Sequence, residues 1–487
     1  MSKVKNLIPS FISEQFKSNR LSGKFKAVSL FVDIVGFTPL TQGLMKHGKE
    51  GAEILSDIIN EIFEPSTNLV SQFKGILANF EGDAFTAIFK NQDYLNSIQC
   101  AIEIKRLLKT YTAKTKFGNF RLNVRIGLAF GDVSWRILKT QPYHTYYFLG
   151  DAIEYSAIAQ KISQPGEIII HHSLKMKLGK LFSGKFIKRG FYKLKTFVDF
   201  KLDELSVSHY YVDPNIQSKF IPAKISEMKT HGEFRNVVPM FISFKKRKKT
   251  RIEIGKFIKE VVDQSHQYGG YFNKVDFGEK GAIILILFGA PMGIEKPITR
   301  AVEFSNQILK NYQTKLNIRF GLSYGVVYAG IIGGSSAAEY TVMGEKVNLA
   351  ARITMESNWN KICYDEKISK LIEKKYESQL LKKIKLKGFR KIIQIYEFCK
   401  RRLLERDSSH VRFFGREIEL KGLRRIVSRL LKKKKFEGLI YIDGPAGIGK
   451  STLVSELRNS INTDDVFWFH LKCAEIIKSG FNPVKYF

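Results

Sequence analysis

A chain of 487 residues with 44% hydrophobic content has room for two or three domains with full cores, which excludes a small disulfide-stapled scaffold. Its 80 Lys and Arg against 46 Asp and Glu give a formal net charge of +34, but lysine is spread along the whole chain with abundant Ile, Phe, Asn and Tyr. That pattern favours solvated faces over a nucleic-acid site and leaves peripheral contact with anionic membrane lipid open. Cys100, Cys363, Cys399 and Cys473 lack metal-like spacing and suit a reducing compartment. No charged-then-apolar leader pattern opens the sequence, and the longest strongly apolar run, Gly281 to Ala290, is half a membrane span and reads as a buried strand. A cytoplasmic protein without a transmembrane segment is expected.

Residues 1–24 read as an N-terminal extension. Leu30-Phe-Val-Asp-Ile-Val-Gly-Phe-Thr38 is then an apolar strand carrying Asp33 into a Gly-containing turn and a helix. A carboxylate at a strand end beside free backbone amides suits a divalent ion and a phosphate. Ile76-Leu-Ala-Asn-Phe-Glu-Gly-Asp-Ala-Phe-Thr-Ala-Ile-Phe89 reads as a hairpin around Glu81-Gly82-Asp83, which sets Asp83 at its tip. Two aspartates on adjacent strands can hold two metal ions, Mg²⁺ or Mn²⁺.

An internal repeat follows. Val124-Arg-Ile-Gly-Leu-Ala-Phe-Gly131 matches Ile318-Arg-Phe-Gly-Leu-Ser-Tyr-Gly325, and Tyr147-Phe-Leu-Gly150 matches Thr341-Val-Met-Gly344, at one common displacement. Each repeat alternates strand, long helix, hairpin, second helix and further strands, a ferredoxin-like α+β pattern. The expected domains are 25–215 and 235–400, joined by a linker over 216–234 near Val212-Asp-Pro-Asn215 and Lys229-Thr-His-Gly232. In the second repeat, Glu339-Tyr-Thr-Val-Met-Gly-Glu-Lys-Val-Asn-Leu-Ala-Ala-Arg352 sets Asn348 and Arg352 four residues apart at a helix start, so that both point to one place. The repeats have diverged. The first keeps both aspartates but has Glu154 and Ile158 where the second has Asn348 and Arg352, and Tyr147 where the second has Thr341; the second has Ser243 in place of Asp33. Neither half completes a site alone, so one composite site between packed halves is expected, with a degenerate mirror site.

From residue 401 a further unit begins. Phe413-Phe-Gly-Arg-Glu-Ile-Glu-Leu420 opens a helix, and Leu439-Ile-Tyr-Ile-Asp443 reads as a strand leading into Gly444-x-x-x-x-Gly449-Lys450-Ser451-Thr452. Such a loop wraps phosphates with backbone amides while Lys450 reaches the outer phosphates and Ser451 binds Mg²⁺. Only 35 residues follow Thr452, so the region reads as an incomplete P-loop NTPase on a truncated chain, not expected to hydrolyse ATP as it stands.

Phe31 to Thr38, Phe80 to Asp83 and Tyr340 to Arg352 together resemble the class III nucleotidyl cyclases, most closely the soluble, bicarbonate-type adenylyl cyclases with two tandem catalytic domains. The resemblance covers roughly residues 25–400 and implies a pseudo-twofold pair that converts ATP to 3′,5′-cyclic AMP and pyrophosphate in intracellular signal transduction. By the same resemblance, Asp33, Asp83 and the backbone carbonyl of Ile34 hold two metal ions, and the amides of Val35, Gly36, Phe37 and Thr38 cradle phosphates. Arg125 takes the β- and γ-phosphates, Asn348 the ribose and Arg352 the α-phosphate. Lys274 and Thr341, with Val342 beside them, take adenine. Bicarbonate-responsive relatives carry two cations where this chain has Asn79 and Ala157, so bicarbonate stimulation is expected to be weak or absent. In the resembling proteins a large signalling-type ATPase region of the STAND kind continues from the P-loop. The alternatives are a catalytically weak nucleotide-binding scaffold and a guanylyl cyclase.

Overall fold

The computed structural model describes residues 6–109, 111–197, 212–228, 232–247, 253–278, 281–334, 336–386, 389, 392–402, 415–433, 438–444 and 448–461. It forms two compact units, residues 1–400 and 401–487.

In the first half of the larger unit, strands Ile76–Phe80, Ala84–Lys90, Ser22–Val35 and Asn123–Leu138 lie side by side in that order, with Ile168–His171 parallel to the last. Period-two alternation decides which residues go where. Val28, Leu30, Val32 and Ile34 enter the main core against Leu55, Ile59 and Phe63 of helix Gly48–Gln72 and Ile98, Ala101 and Ile104 of helix Tyr94–Leu108. The alternate residues face helix Asp151–Ile162, where the Ser29 and Ser156 hydroxyls meet at 2.8 Å. Asp33 is therefore held on the face away from the main core.

The second half repeats this order with Gly270–Gly278, Gly281–Phe288, Glu233–Lys246 and Leu316–Leu322, followed by parallel Lys361–Asp365. Registers match as well as elements. Asp33 lies opposite Ala84 and Arg125, and Ser243 lies opposite Ile283 and Arg319, so Ser243 stands where the first half has Asp33. Both halves thus realise the α+β alternation read from the sequence, and Gly281–Phe288 is the buried strand expected of the apolar run.

The halves share their cores. Tyr328, Ile332 and Met343 of the second pack into the first-half cluster, and Tyr147 packs into that of the second. Helix Gly48–Gln72 lies against strand Gly325–Gly333. Reciprocally, helix Ile254–Gln267 meets the end of strand Asn123–Leu138, with Arg136 and Glu253 at 2.7 Å and Lys259 Nζ donating to the Lys139 carbonyl at 2.9 Å.

The boundary placed at residue 25 falls inside strand Ser22–Val35. Helix Ser10–Lys17 buries Phe11 and Ile12 beside Trp135 and Phe148, and Asn6 bonds both Val212 and Ala338, so residues before 25 belong to the fold. The stretch read as a linker, 216–234, holds the end of the short helix Pro214–Gln217 and the short helix Ala223–Ser226; Lys229 to His231 of the join lie outside the described residues.

The smaller unit contains helices Glu417–Lys433 and Lys450–Asn459, joined through Leu420, Leu423, Leu453 and Leu457. The strand expected at Leu439–Asp443 does not form: Leu439 is 96% and Tyr441 87% exposed. A strand needs a neighbour to satisfy its N–H and C=O groups, and none pairs with this segment among the described residues. Phe413, Phe414, residues 248–251 and 434–435 of the basic runs, 445–447 of the P-loop and Cys473 lie outside the described residues.

Candidate active site

Asp33 and Asp83 are brought together by the register of the first sheet. The Ile34 N–H donates to the Asp83 carbonyl at 3.0 Å, which fixes the tip of the hairpin beside the end of the aspartate strand. Asp33 pairs with Arg125 at 2.8 Å and accepts from Gln160 Nε2 at 2.9 Å. Burial raises the Asp33 carboxyl while Arg125 opposes the rise. Burial, and then the charge of Asp33, push Asp83 up to about 7. Among the described residues no third Asp, Glu, His or Cys joins this pair. Two crowded carboxylates whose mutual repulsion a cation would relieve fit an oxygen-liganded divalent ion such as Mg²⁺ or Mn²⁺. The guanidinium of Arg125 supplies positive charge there in this structure, and its buried Nε has no hydrogen-bond partner among the described residues.

Gly36 turns the chain from the aspartate strand into helix Phe37–Met45. Its φ is +95°, and a Cβ there would lie 2.6 Å from the Arg121 carbonyl, so the turn demands glycine. The first helical amides, Phe37 and Thr38, have no carbonyl of a preceding turn to bond, and Pro39 adds no N–H, which leaves a small anion-facing terminus.

Asn348 and Arg352 sit on helix Glu345–Glu356 of the second half, Asn348 exposed and Arg352 half-buried. Glu345 on the same helix accepts from Gln42 Nε2 of helix Phe37–Met45 at 2.8 Å. Residues 345, 348 and 352 follow i, i+3, i+7 spacing and share one face, so the face touching the helix after Asp33 is the one that carries the amide and the guanidinium. A Cβ on Gly344 would come within 3.8 Å of the Met45 sulfur, which shows how closely the two helix ends approach.

The residues expected to take the base lie at the junction of the two halves. Thr341 is buried, and its hydroxyl lies 3.4 Å from Asn273 Oδ1, while Asn273 Nδ2 donates to the Tyr340 carbonyl at 2.7 Å. Val342 is buried beside Thr341 in the strand Ala338–Met343. Lys274 Nζ is 2.9 Å from Glu339 and also donates to the Phe80 carbonyl of the first half. Burial lowers the Lys274 pKa, but the charges of Glu339 and Asp276 outweigh it and raise it overall. Nearby, Asn79 donates to Asp276. Burial pushes Asp276 up to about 6 against the pull of Lys274, and burial followed by the charge of Asp276 pushes Glu81 up to about 8.

Gln160, Glu339, Asn273 and Asp276 escaped the reading of the sequence. Glu339 had a signal: it lies two residues before Thr341 on one strand and so on the same face. Gln160 had none, since its approach to Asp33 depends on how the helix docks. In the smaller unit, Lys450 Nζ donates to the Gly444 carbonyl at 2.6 Å across the loop, and Gly449, at φ +93°, precedes the helix that begins Lys450-Ser451-Thr452.

Residues 22–212 and 298–399 match the family described as Adenylate and Guanylate cyclase catalytic domain, and residues 412–483 match the AAA ATPase domain. The stretch between the two cyclase matches includes Ser243 and Lys274. Adenylate cyclase type 10 of Mus musculus is 27% identical over 397 residues, covering 70% of this chain and 24% of the mouse protein. The Homo sapiens protein of the same name is 28% identical over 392 residues, covering 68% and 24%. The chain thus spans about a quarter of the length of the curated relatives it matches. A class III adenylyl cyclase-like ATP-binding protein from Pseudomonas aeruginosa aligns over 72% of this chain and 85% of its own, with TM-score 0.50 and 10% identity, a likeness of fold.

Proposed function

Because the chain belongs to the family of adenylate and guanylate cyclase catalytic domains, we propose that it converts ATP to 3′,5′-cyclic AMP and pyrophosphate at one site shared by its two halves, packed as a pseudo-twofold pair. The observation that carries this reading is the Gln42–Glu345 bond, which turns the Asn348 and Arg352 face of one half toward the helix that follows Asp33 in the other. Reciprocal packing of each half's long helix on its partner supports the pseudo-twofold arrangement.

Two bound ions, Mg²⁺ or Mn²⁺, would lower the pKa of the ribose 3′-hydroxyl and neutralise charge on the attacking and leaving oxygens. Asp33, Asp83 and the Ile34 carbonyl would hold those ions. The amides from Val35 to Thr38 receive phosphate oxygens at the helix terminus. Arg125 exchanges Asp33 for the β- and γ-phosphates. Arg352 stabilises the charge that builds on the α-phosphate, and Asn348 fixes the ribose so that the 3′-oxygen stays in line. On the base side, the Thr341 hydroxyl spends its proton on Asn273 and keeps lone pairs to accept, while Lys274 supplies a donor. An acceptor and a donor in that order match the exocyclic amine and N1 of adenine and mismatch guanine.

The smaller unit is proposed to bind a nucleoside triphosphate at the P-loop. No helix among the described residues is long and apolar enough to cross a membrane, and a cytoplasmic signalling role is proposed. Incubation of the full chain with ATP and GTP side by side, with Mg²⁺ or Mn²⁺, tests the reading. Cyclic AMP is expected as the dominant product and to be lost on Arg352→Ala. Dominant cyclic GMP overturns the base assignment, and absence of either product overturns the catalytic one.

A further inference from the structure

The sheet of the first half ends in the hairpin of strands Phe182–Lys188 and Phe191–Phe197, at the edge opposite to strand Ile76–Phe80 and the tip that carries Asp83. Between His172 and Thr196 the chain carries eight Lys and Arg and no Asp or Glu. Among the described residues only one of these cations, Lys193, has a carboxylate within ion-pair distance, Glu167 at 2.6 Å. Register sharpens the imbalance, since Lys185 lies directly opposite Lys193, a pairing of like charges that costs stability in a sheet. The corresponding elements of the second half, helix Glu366–Ile372 and strands Tyr376–Ile384 and Ile393–Arg401, hold lysines too, but also Glu366, Glu377 and Glu397, which pair with Lys370, Lys400 and Lys361 at 2.6, 3.6 and 2.5 Å. The uncompensated charge at the first edge is therefore local and not a uniform property of the chain.

Lysines alone would guard an edge strand against pairing with another chain. This edge also presents what a guard would not: Phe186 is 57% exposed, Ile187 38% and, on the neighbouring helix His172–Leu178, Met176 66%. The patch is held in one shape. Phe186 lies opposite Tyr192 with their rings 5.5 Å apart, Lys175 Nζ stands 4.0 Å over the Tyr192 ring, and the His172 N–H donates to the Gly190 carbonyl at 2.7 Å, tying the hairpin turn to the helix. We propose that this hairpin docks the chain on an anionic membrane surface, with Lys185, Lys188 and Arg189 at the lipid headgroups and Phe186 and Ile187 entering the boundary with the acyl chains. Headgroup charge attracts the cations and the hydrocarbon boundary takes the apolar side chains, so the patch matches such a surface on both counts. Successive strand residues face opposite ways, so Phe186 and Ile187 can both enter only if the hairpin meets the membrane by its tip.

Flotation of the full chain with vesicles of phosphatidylcholine alone, and of phosphatidylcholine with phosphatidylserine, tests this. Binding is expected to the anionic vesicles only and to weaken as salt rises. Lys185→Gln with Lys188→Gln is expected to lower partition about twentyfold, at roughly fivefold per cation, and Phe186→Ser with Ile187→Ser about tenfold. All four side chains are exposed, and an unchanged thermal unfolding curve checks that the variants fold. The same loss of charge at the second-half edge, Lys383→Gln with Lys385→Gln, is expected to change partition by less than about twofold. An equal loss there would show net charge alone at work and overturn the inference. Binding untouched by Phe186→Ser with Ile187→Ser would mark a site for a soluble polyanion and overturn it as well, as would equal binding to both kinds of vesicle or binding to neither.

Discussion

The two halves have one register and opposite uses for it. In the first, the arginine opposite the strand-end position pairs with a carboxylate, Arg125 with Asp33. In the second, the carboxylate has become Ser243, and Arg319 has turned away: it donates to the Met355 and Ser357 carbonyls at 2.9 and 3.2 Å and lies 4.4 Å over the Trp359 ring. The Ser243 hydroxyl is buried without a hydrogen-bond partner among the described residues. The hairpin position beside it, set by the pairing of Ser243 with Ile283, is Ala282 where the first half has Asp83. An arginine conserved in place between the halves is therefore no sign of a conserved site; its counter-charge decides. The helices reverse the asymmetry, with Glu154 and Ile158 in the first half against Asn348 and Arg352 in the second.

Making the first half like the second should reduce the proposed activity most. Asp33→Ser is expected to lower cyclic AMP formation by at least about a hundredfold and to abolish its dependence on added Mn²⁺, measured by product formation across a metal titration. Arg352→Ala is expected to cost about a hundred- to a thousandfold in kcat, as loss of a transition-state donor does. Activity retained in either variant would mean that the halves do not divide the work as proposed.

Next comes the buried charge between the halves. Asp276 has its carboxyl raised to about 6, so its contribution to stability is fully present below the ordinary carboxylate range and is lost as pH rises through about 6. Relative to Asp276→Asn, the wild type is expected to lose on the order of 1–3 kcal/mol between about pH 4 and pH 7, read as the difference of two denaturant-unfolding series. A flat difference would contradict it.

The smallest effects belong to the degenerate helix. Glu154→Ala and Ile158→Ala are expected to change kcat/KM by less than about twofold. Bicarbonate at constant pH is expected to do as little, because Asn79 and Ala157 offer no cation and Asn79 already bonds Asp276. A several-fold rise in turnover would show that the mirror site still binds an anion.

What short patterns carry could be read before the fold was known: Asp33, Asp83, Asn348 and Arg352 were singled out by their motifs as candidates, and the repeat announced two halves of matching strand order and register. What escaped depends on contacts between distant segments. Glu339 reaches Phe80 across 259 residues and Gln160 reaches Asp33 across 127, and no local periodicity encodes such a meeting. The N-terminal residues read as an extension for the same reason: the apolar face of Phe11 and Ile12 finds its partner in Trp135 and Phe148. At Leu439–Asp443 the failure ran the other way. The pattern suited a strand, but strand identity resides in the ladder, and among the described residues no neighbour supplies one.

The most direct measurement is a crystal structure of the full chain with a non-cyclising ATP analogue and Mn²⁺. One nucleotide is expected in contact with both halves, its metals on Asp33 and Asp83 and its α-phosphate within hydrogen-bonding reach of Arg352. A triphosphate held by one half alone, with Arg352 out of reach, would contradict the shared site.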